Sequence, residues 1–295
     1  MRLLHVADGD GRAVIGLHLP DGRVIDIRQA HQQQLPDDEH LPTTIDGLLR
    51  EDRLATIANA VFDDGRDFEL NVDEDQLMSP ILAPQKIIGV GMNYASHATE
   101  TGTDMPPEPV FFAKFPNTII GPRDTIKLPP VSQEVDWEAE LVVVIGRRGR
   151  AIAEQDAMAH VAGYMVGNDV SARDWQLRKP LRQWTIGKTF DTFLPLGPYL
   201  ITADEVPDPH GLHITCSLNG ERVQDDLTNL HFRIPMLISY LSRVMTLEPG
   251  DLILTGTPAG VGMSRTPPRY LHDGDVLETS IAPFGVLRNP VRRIA

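Results

Sequence analysis

The sequence contains one cysteine, Cys216, in 295 residues. A single cysteine excludes an intramolecular disulfide and any cysteine-based zinc cluster. Its place in an apolar, alternating run reads as a packed thiol and not as a nucleophile. Long apolar runs are also missing. No stretch of about 18 apolar residues exists, so no transmembrane helix and no membrane partner are expected. Positive charge is in deficit, with 27 Lys and Arg against 41 Asp and Glu and a formal net charge of −14. Non-specific nucleic-acid binding needs a basic surface, so that class is set aside. The opening residues, Met1 to Asp8, turn polar too soon for a signal peptide and lack the Arg/Ser-rich pattern of a transit peptide. A reducing cytoplasm is therefore the expected address.

What is present is a turn-rich globular chain, with 24 Gly and 24 Pro and 41% hydrophobic residues. That composition favours β or α+β architecture over a helix bundle. Val14–Leu17 and Val24–Ile27 read as strands around the turn Pro20-Asp21-Gly22, and Thr43-Thr44 offers a helix N-cap. A polar stretch, 31–40, and an acidic, irregular one, 62–78, lie to either side of that helix. A boundary is placed near residue 82, dividing a small N-terminal α/β module, 1–82, from a larger unit, 83–295. In the larger unit, strands are expected at 86–91, 136–145, 212–218 and 252–254. A helix is expected over 234–244, and a closing hairpin around Pro283-Phe284-Gly285.

Five segments carry chemistry. In Asp136-Trp137-Glu138-Ala139-Glu140-Leu141, a strand would put Glu138 and Glu140 side by side, because alternate residues share a face. Adjacent carboxylates repel, and a hard divalent cation would resolve the repulsion; two exposed acids on a solvent-facing strand are the plainer alternative. Asp169 follows an apolar strand and would add a third carboxylate, unless it is only an Asx turn or a cap. Such an oxygen set suits Mg²⁺ or Mn²⁺. Lys188, in Gly187-Lys188-Thr189-Phe190, is an unusual setting for a solvated lysine and would suit a substrate carboxylate or a developing enolate. His97 and Glu100 are three residues apart, so one helical turn would pair them as a base and its orienting acid, with an ordinary surface His and Glu as the plainer alternative. The glycine and prolines that follow suggest a mobile or irregular loop. Finally, Leu254-Thr255-Gly256-Thr257-Pro258-Ala259-Gly260-Val261-Gly262 reads as a strand entering a Gly-rich loop, either an anion nest or a structural turn.

Taken together, 91–100, 136–141, 168–176, 187–193 and 254–258 resemble the fumarylacetoacetate hydrolase superfamily, over roughly residues 83–293. The resemblance implies an α+β fold: a mixed β-roll or barrel-like catalytic domain, dimeric, that binds Mg²⁺ or Mn²⁺. The metal ligands would be Glu138, Glu140 and Asp169. A fourth ligand, an aspartate in founding members, is replaced here by Asn93, so three are expected. His97 and Glu100 would be the base dyad, on a segment ordering over substrate. Lys188 and Gln176 would contact substrate, Thr257 would help hold its carboxylate, and Arg173 and Lys114 match recurring positions with less settled roles. The implied activity is metal-dependent hydrolysis of a C–C bond in a 2-oxo or 1,3-dioxo acid of acylpyruvate type, through an enolate. Oxaloacetate decarboxylation or keto–enol tautomerisation would use the same site. The competing class is a metal-binding scaffold without turnover, and a complete set of site residues argues against it. The expected partners are a small 2-oxo acid and a second copy of the chain, with no nucleic acid.

Overall fold

Leu141, Val143 and Ile145 point to one side of their strand and Val142 and Val144 to the other, and both sides are buried. That is why this stretch is continuously apolar where a half-exposed strand would alternate. In the computed structural model, which describes residues 1–34, 41–59 and 68–294, this strand, Ala139–Ile145, lies inside an eleven-stranded mixed sheet among the described residues. Its antiparallel neighbours are Val161–Asn168 on one edge and Leu252–Leu254 on the other. Leu252–Leu254 continues in parallel to Ile87–Gly91, which pairs with Val110–Lys114.

A second sheet of five strands stacks on one side. It runs Glu221–Leu227, His213–Leu218, Val276–Ile281, Gly285–Arg293 and Ile126–Leu128. Its apolar face, with Ile214, Leu277 and Leu287, joins Leu141, Val143 and the helix Ile234–Val244 in the larger core. The hairpin turn at Asn219-Gly220 and the closing hairpin fall where the turn residues place them, with positive φ at Asn219, Gly220 and Gly285. The arrangement is the α+β, sheet-dominated fold anticipated above.

The N-terminal residues extend the same large sheet. Arg2–Ala7 pairs with Leu194–Thr202, and Ala13–His18 and Val24–Asp26 follow it outward. The helix Ile45–Arg50 begins at Thr44, whose hydroxyl accepts the Gly47 N–H, and buries Ile45, Leu48 and Leu49 with Val142 and Val144 on the sheet's other face. The described part of the polar stretch forms the helix Ile27–Gln34, and a short helix, Leu54–Asn59, follows the expected one; residues 35–40 and 62–67 of the two irregular stretches lie outside the described residues. One other element differs from expectation: the strand expected from 136 is interrupted at 137–138.

One buried acid ties the helix to the crossing segment. Asp46 accepts the backbone N–H groups of Leu82 at 2.9 Å and Ala83 at 3.0 Å. Replacing Asp46 with Ala strands both donors, and unfolding free energy measured in urea should fall by about 1–3 kcal/mol. An unchanged denaturation midpoint would contradict that tie.

Candidate functional site

The break at 137–138 sets up the site. Asp169 N–H donates to the Glu138 carbonyl at 2.8 Å, and the Asn168 side chain accepts the Glu138 N–H at 3.0 Å. These bonds bring the end of Val161–Asn168 against the start of Ala139–Ile145. Glu138, Glu140 and Asp169 are all buried, and each places a carboxylate oxygen within 4.8 Å of the others. Asp136 is buried beside them.

Three buried cations answer these acids. Lys188 Nζ donates to Glu138 Oε2 at 2.7 Å, Asp169 Oδ2 at 2.6 Å and the Ser171 hydroxyl at 2.8 Å. Lys114 Nζ donates to Asp169 Oδ1 at 2.7 Å. Arg173 donates through Nε to Asp136 at 2.8 Å and through Nη1 to Glu138 Oε1 at 2.7 Å. Among the described residues Glu140 has only a neutral donor, the Gly256 N–H at 2.7 Å. Its carboxyl is held well above the usual carboxylate range, by burial first and then by the charges of Asp169 and Glu138. Burial also acts against ionised Glu138, but Lys188 and Arg173 outweigh it and keep its carboxyl well below that range. Burial opposes the charged form of Lys188 too, and Asp169 and Glu138 reverse the effect. Around Lys114 burial wins, and its ammonium is easier to deprotonate than usual. Four acids face three cations, so Glu140 has no cation of its own, in an all-oxygen donor set. That chemistry fits a hard divalent cation.

The Gly-rich loop supplies the remaining donors. Gly256 N–H holds Glu140, Gly260 N–H holds Glu100 Oε1 at 2.9 Å, and the Gly262 and Met263 N–H groups hold Asp136 at 2.7 and 3.0 Å. Of the two readings of this loop, it is therefore a nest whose anions are the protein's own carboxylates. Gly260 has φ +104°, and a Cβ there would sit 2.0 Å from the Val223 carbonyl, so only glycine fits.

His97 and Glu100 lie on the helix Ala95–Thr101, which ends on Gly102 in the left-handed conformation. The expected irregular loop is thus a capped helix at this point. His97 Nδ1 lies 3.3 Å from Glu100 Oε2, and Glu100 is fixed in turn by the Gly-rich loop. Among the described residues Asn93 makes no hydrogen bond to the acids. Its side chain bonds the Phe232 and Thr255 carbonyls and the Phe232 N–H, pegging two segments together.

A cavity of about 270 Å³ opens beside the cluster, walled by His97, Glu138, Arg173, Gln176, Lys188 and Thr257. Glu140 and Asp169 lie behind this wall, and Lys114 does not reach it. Gln176 accepts from Arg173 Nη1 at 2.9 Å, and the Thr257 hydroxyl accepts from Gln224 at 2.8 Å. Arg173 Nη2 is buried without a hydrogen-bond partner among the described residues. Phe112 and Trp184 pack edge to face, with ring centroids 6.0 Å apart, and both line the cavity. They fit only because positions 89 and 91 are glycines, where a Cβ would meet those rings at 2.1 and 2.3 Å.

Sequence reasoning missed Asp136, Gln224, Arg182 and Trp184 as parts of the site. Asp136 heads the acidic run that was read, so its signal was present. Gln224 sits in an ordinary strand, Glu221–Leu227, and nothing local marks it. Cys216 is buried, and burial pushes its thiol up to about 12, in keeping with an inert packed residue.

Residues 86–292 match the family model described as fumarylacetoacetate (FAA) hydrolase C-terminal. The chain belongs to the fumarylacetoacetate hydrolase family. A Xenopus laevis relative, "Oxaloacetate tautomerase fahd2, mitochondrial", is 46% identical over 99% of this chain and 90% of its own length. The human "Oxaloacetate tautomerase FAHD2A, mitochondrial" is 52% identical over 74% of this chain and 70% of its own length. Among solved structures, a fumarylacetoacetate hydrolase from Exiguobacterium antarcticum aligns over the full length of both chains with TM-score 0.80 and 35% identity. A maleylpyruvate hydrolase from Sphingobium aligns likewise, with TM-score 0.76 and 32% identity. The family membership makes this an enzyme of that family. The mitochondrial names overturn the expected cytoplasmic address. That expectation rested on a polar opening and a lone thiol, and a buried thiol does not tell one reducing compartment from another.

The lack of a cation at Glu140 makes a stability prediction. Folding raises the pKa of Glu140, so its contribution is favourable in the protonated form and is lost as pH rises through the folded value. At neutral pH with chelator, the Glu140→Gln variant should melt about 2–6 °C above the wild type, and the gap should widen as pH rises. Mg²⁺ or Mn²⁺ should raise the wild-type melting temperature and leave the variant nearly unmoved. A variant that melts lower in chelator would contradict the charge count.

Proposed function

We propose that the chain catalyses keto–enol tautomerisation of oxaloacetate in this cavity. Two things support the reading. Relatives near half identity, one of them matched over 99% of this chain, carry that activity in their names. The cavity also sets a histidine, oriented by a carboxylate, opposite a wall of buried donors. The sequence reading ranked hydrolysis of an acylpyruvate first, with oxaloacetate chemistry second. The first shell alone does not separate them, because each reaction develops an enolate at one place. The relatives' names reverse the order.

Tautomerisation moves a proton between a carbon and the neighbouring oxo oxygen. His97, held through Nδ1 by Glu100, takes the proton from the carbon next to the oxo group on Nε2 and gives it to the oxo oxygen, and the same transfers run backwards turn enol to keto. Gln176 and the unpartnered Nη2 of Arg173 present donors to the oxygen on which negative charge develops, and Lys188, its three N–H groups held by Glu138, Asp169 and Ser171, adds positive charge beside it. Glu138, Glu140 and Asp169 would hold the divalent ion, Mg²⁺ or Mn²⁺, which when bound supplies Lewis-acid polarisation of the oxo group. Thr257 sits where a substrate carboxylate would rest. Lys114 acts at a distance, by holding Asp169. Residues 83–295 form the catalytic unit in this reading, and 1–82 complete its sheet and cover the outer face. The enzyme works as a homodimer, which light scattering on the purified chain tests.

The ultraviolet enol absorbance of oxaloacetate, with CO₂ recorded in parallel, tests the activity. Enzyme with Mg²⁺ or Mn²⁺ should speed the decay of the enol signal without releasing CO₂, and a chelator should remove the effect. His97→Ala should lower kcat/KM by about 10²–10⁴-fold. Chelator-sensitive cleavage of acetylpyruvate, with oxaloacetate untouched, would return the assignment to a hydrolase. CO₂ release in step with enol loss would make it a decarboxylase.

A further inference from the structure

The cavity has three cationic walls, and two of them are already ion-paired with buried acids. Arg173 is paired with Asp136 and Glu138, and Lys188 with Glu138 and Asp169. The third, Arg182, lines the same cavity and makes no ion pair or side-chain hydrogen bond among the described residues. It is also exposed to solvent, so it stands where the cavity opens. A free guanidinium at a cavity mouth is a recognition group for a carboxylate.

The backbone there is held in a form that has a cost. Leu181 has φ +61° and Arg182 φ +53°, consecutive non-glycine residues in the left-handed region. Such conformations persist where the surroundings fix them, and they cluster at ligand clamps. Here the turn is closed by Arg182 N–H on the Lys179 carbonyl at 3.1 Å and by the Gln183 side chain on the Pro180 carbonyl at 3.1 Å. Leu181, 97% exposed, is turned out to solvent while Arg182 stays against the cavity.

We propose that Arg182 reads the second carboxylate of the substrate and makes the site selective for 2-oxo dicarboxylic acids over monocarboxylic ones. The inference rests on the tautomerase reading for its substrate class. The inner end of the cavity, beside Glu138 and Lys188, takes the 2-oxo acid head. A four-carbon diacid seated there directs its far carboxylate towards the opening, where Arg182 is the unpaired cation.

Binding tests this apart from turnover. Malate and lactate share a 2-hydroxy acid head and differ by one carboxylate. Each is titrated into Mg²⁺-loaded full-length protein, following tryptophan fluorescence, since Trp184 lines the cavity. Wild type should prefer malate, and Arg182→Gln should shrink that preference about tenfold, the size expected of one partly exposed charged pair. Arg182→Lys should keep most of it. A malate-to-lactate ratio within twofold of wild type in Arg182→Gln, or no malate preference in wild type, overturns the inference. An Arg182-dependent preference in a protein that does not tautomerise oxaloacetate upholds the inference and rejects the tautomerase reading. Tautomerisation with an Arg182-independent ratio does the reverse.

Discussion

Asp136, Glu138, Glu140 and Asp169 are buried together, and Lys114, Arg173 and Lys188 are buried with them. Ions of either sign are costly to take out of water, and such a cluster survives only when nearly every charge has a partner and every lone pair a donor. Much of the local architecture follows from that demand. The strand break at 137–138 lets Asp169 bond the Glu138 carbonyl. The Gly-rich loop curls so that its N–H groups reach Glu140, Glu100 and Asp136. Gly260 and Gly262 are where they are because a Cβ at either would strike backbone. The partners supply a cation to every acid but Glu140, and the oxygens of Glu138, Glu140 and Asp169 lie close enough together to suit a hard divalent cation.

The same bonds join catalysis to the scaffold. Glu100 orients His97 with one oxygen and is fixed by the Gly260 N–H with the other. Thr257 is held by Gln224, which reaches across from the second sheet and also accepts the Ala139 N–H. The two sheets therefore meet at the reacting groups, and the geometry of the dyad depends on how the sheets stack. Selectivity is left to the opening, where Arg182 and Trp184 lie on a short turn that no buried charge constrains.

Much of this was legible in the sequence. The D-W-E-A-E run, the aspartate after an apolar strand, the glycine-flanked lysine and the His-x-x-Glu spacing each named a residue that the fold gathers within one site. Chemistry with a fixed spacing is readable because the spacing is local. The sheet-crossing partners were not readable, because Gln224 and Arg182 acquire their roles from contacts between segments far apart in the chain. The Gly-rich loop was half read. Its capacity for anions was evident, but which anions it would hold depended on where three distant carboxylates come to rest. The sequence could not order the reactions for a related reason: one cluster serves hydrolysis and enolisation alike, and it is the relatives' names that favour the oxaloacetate alternative.

The account turns on a divalent ion seated among Glu138, Glu140 and Asp169. Crystals grown with Mn²⁺ and measured at the manganese absorption edge would locate it directly. The account predicts one strong anomalous peak bonded to carboxylate oxygens of those three residues, with Asn93 outside the coordination sphere. A saturated crystal with no peak there, or with its manganese held elsewhere, would contradict it.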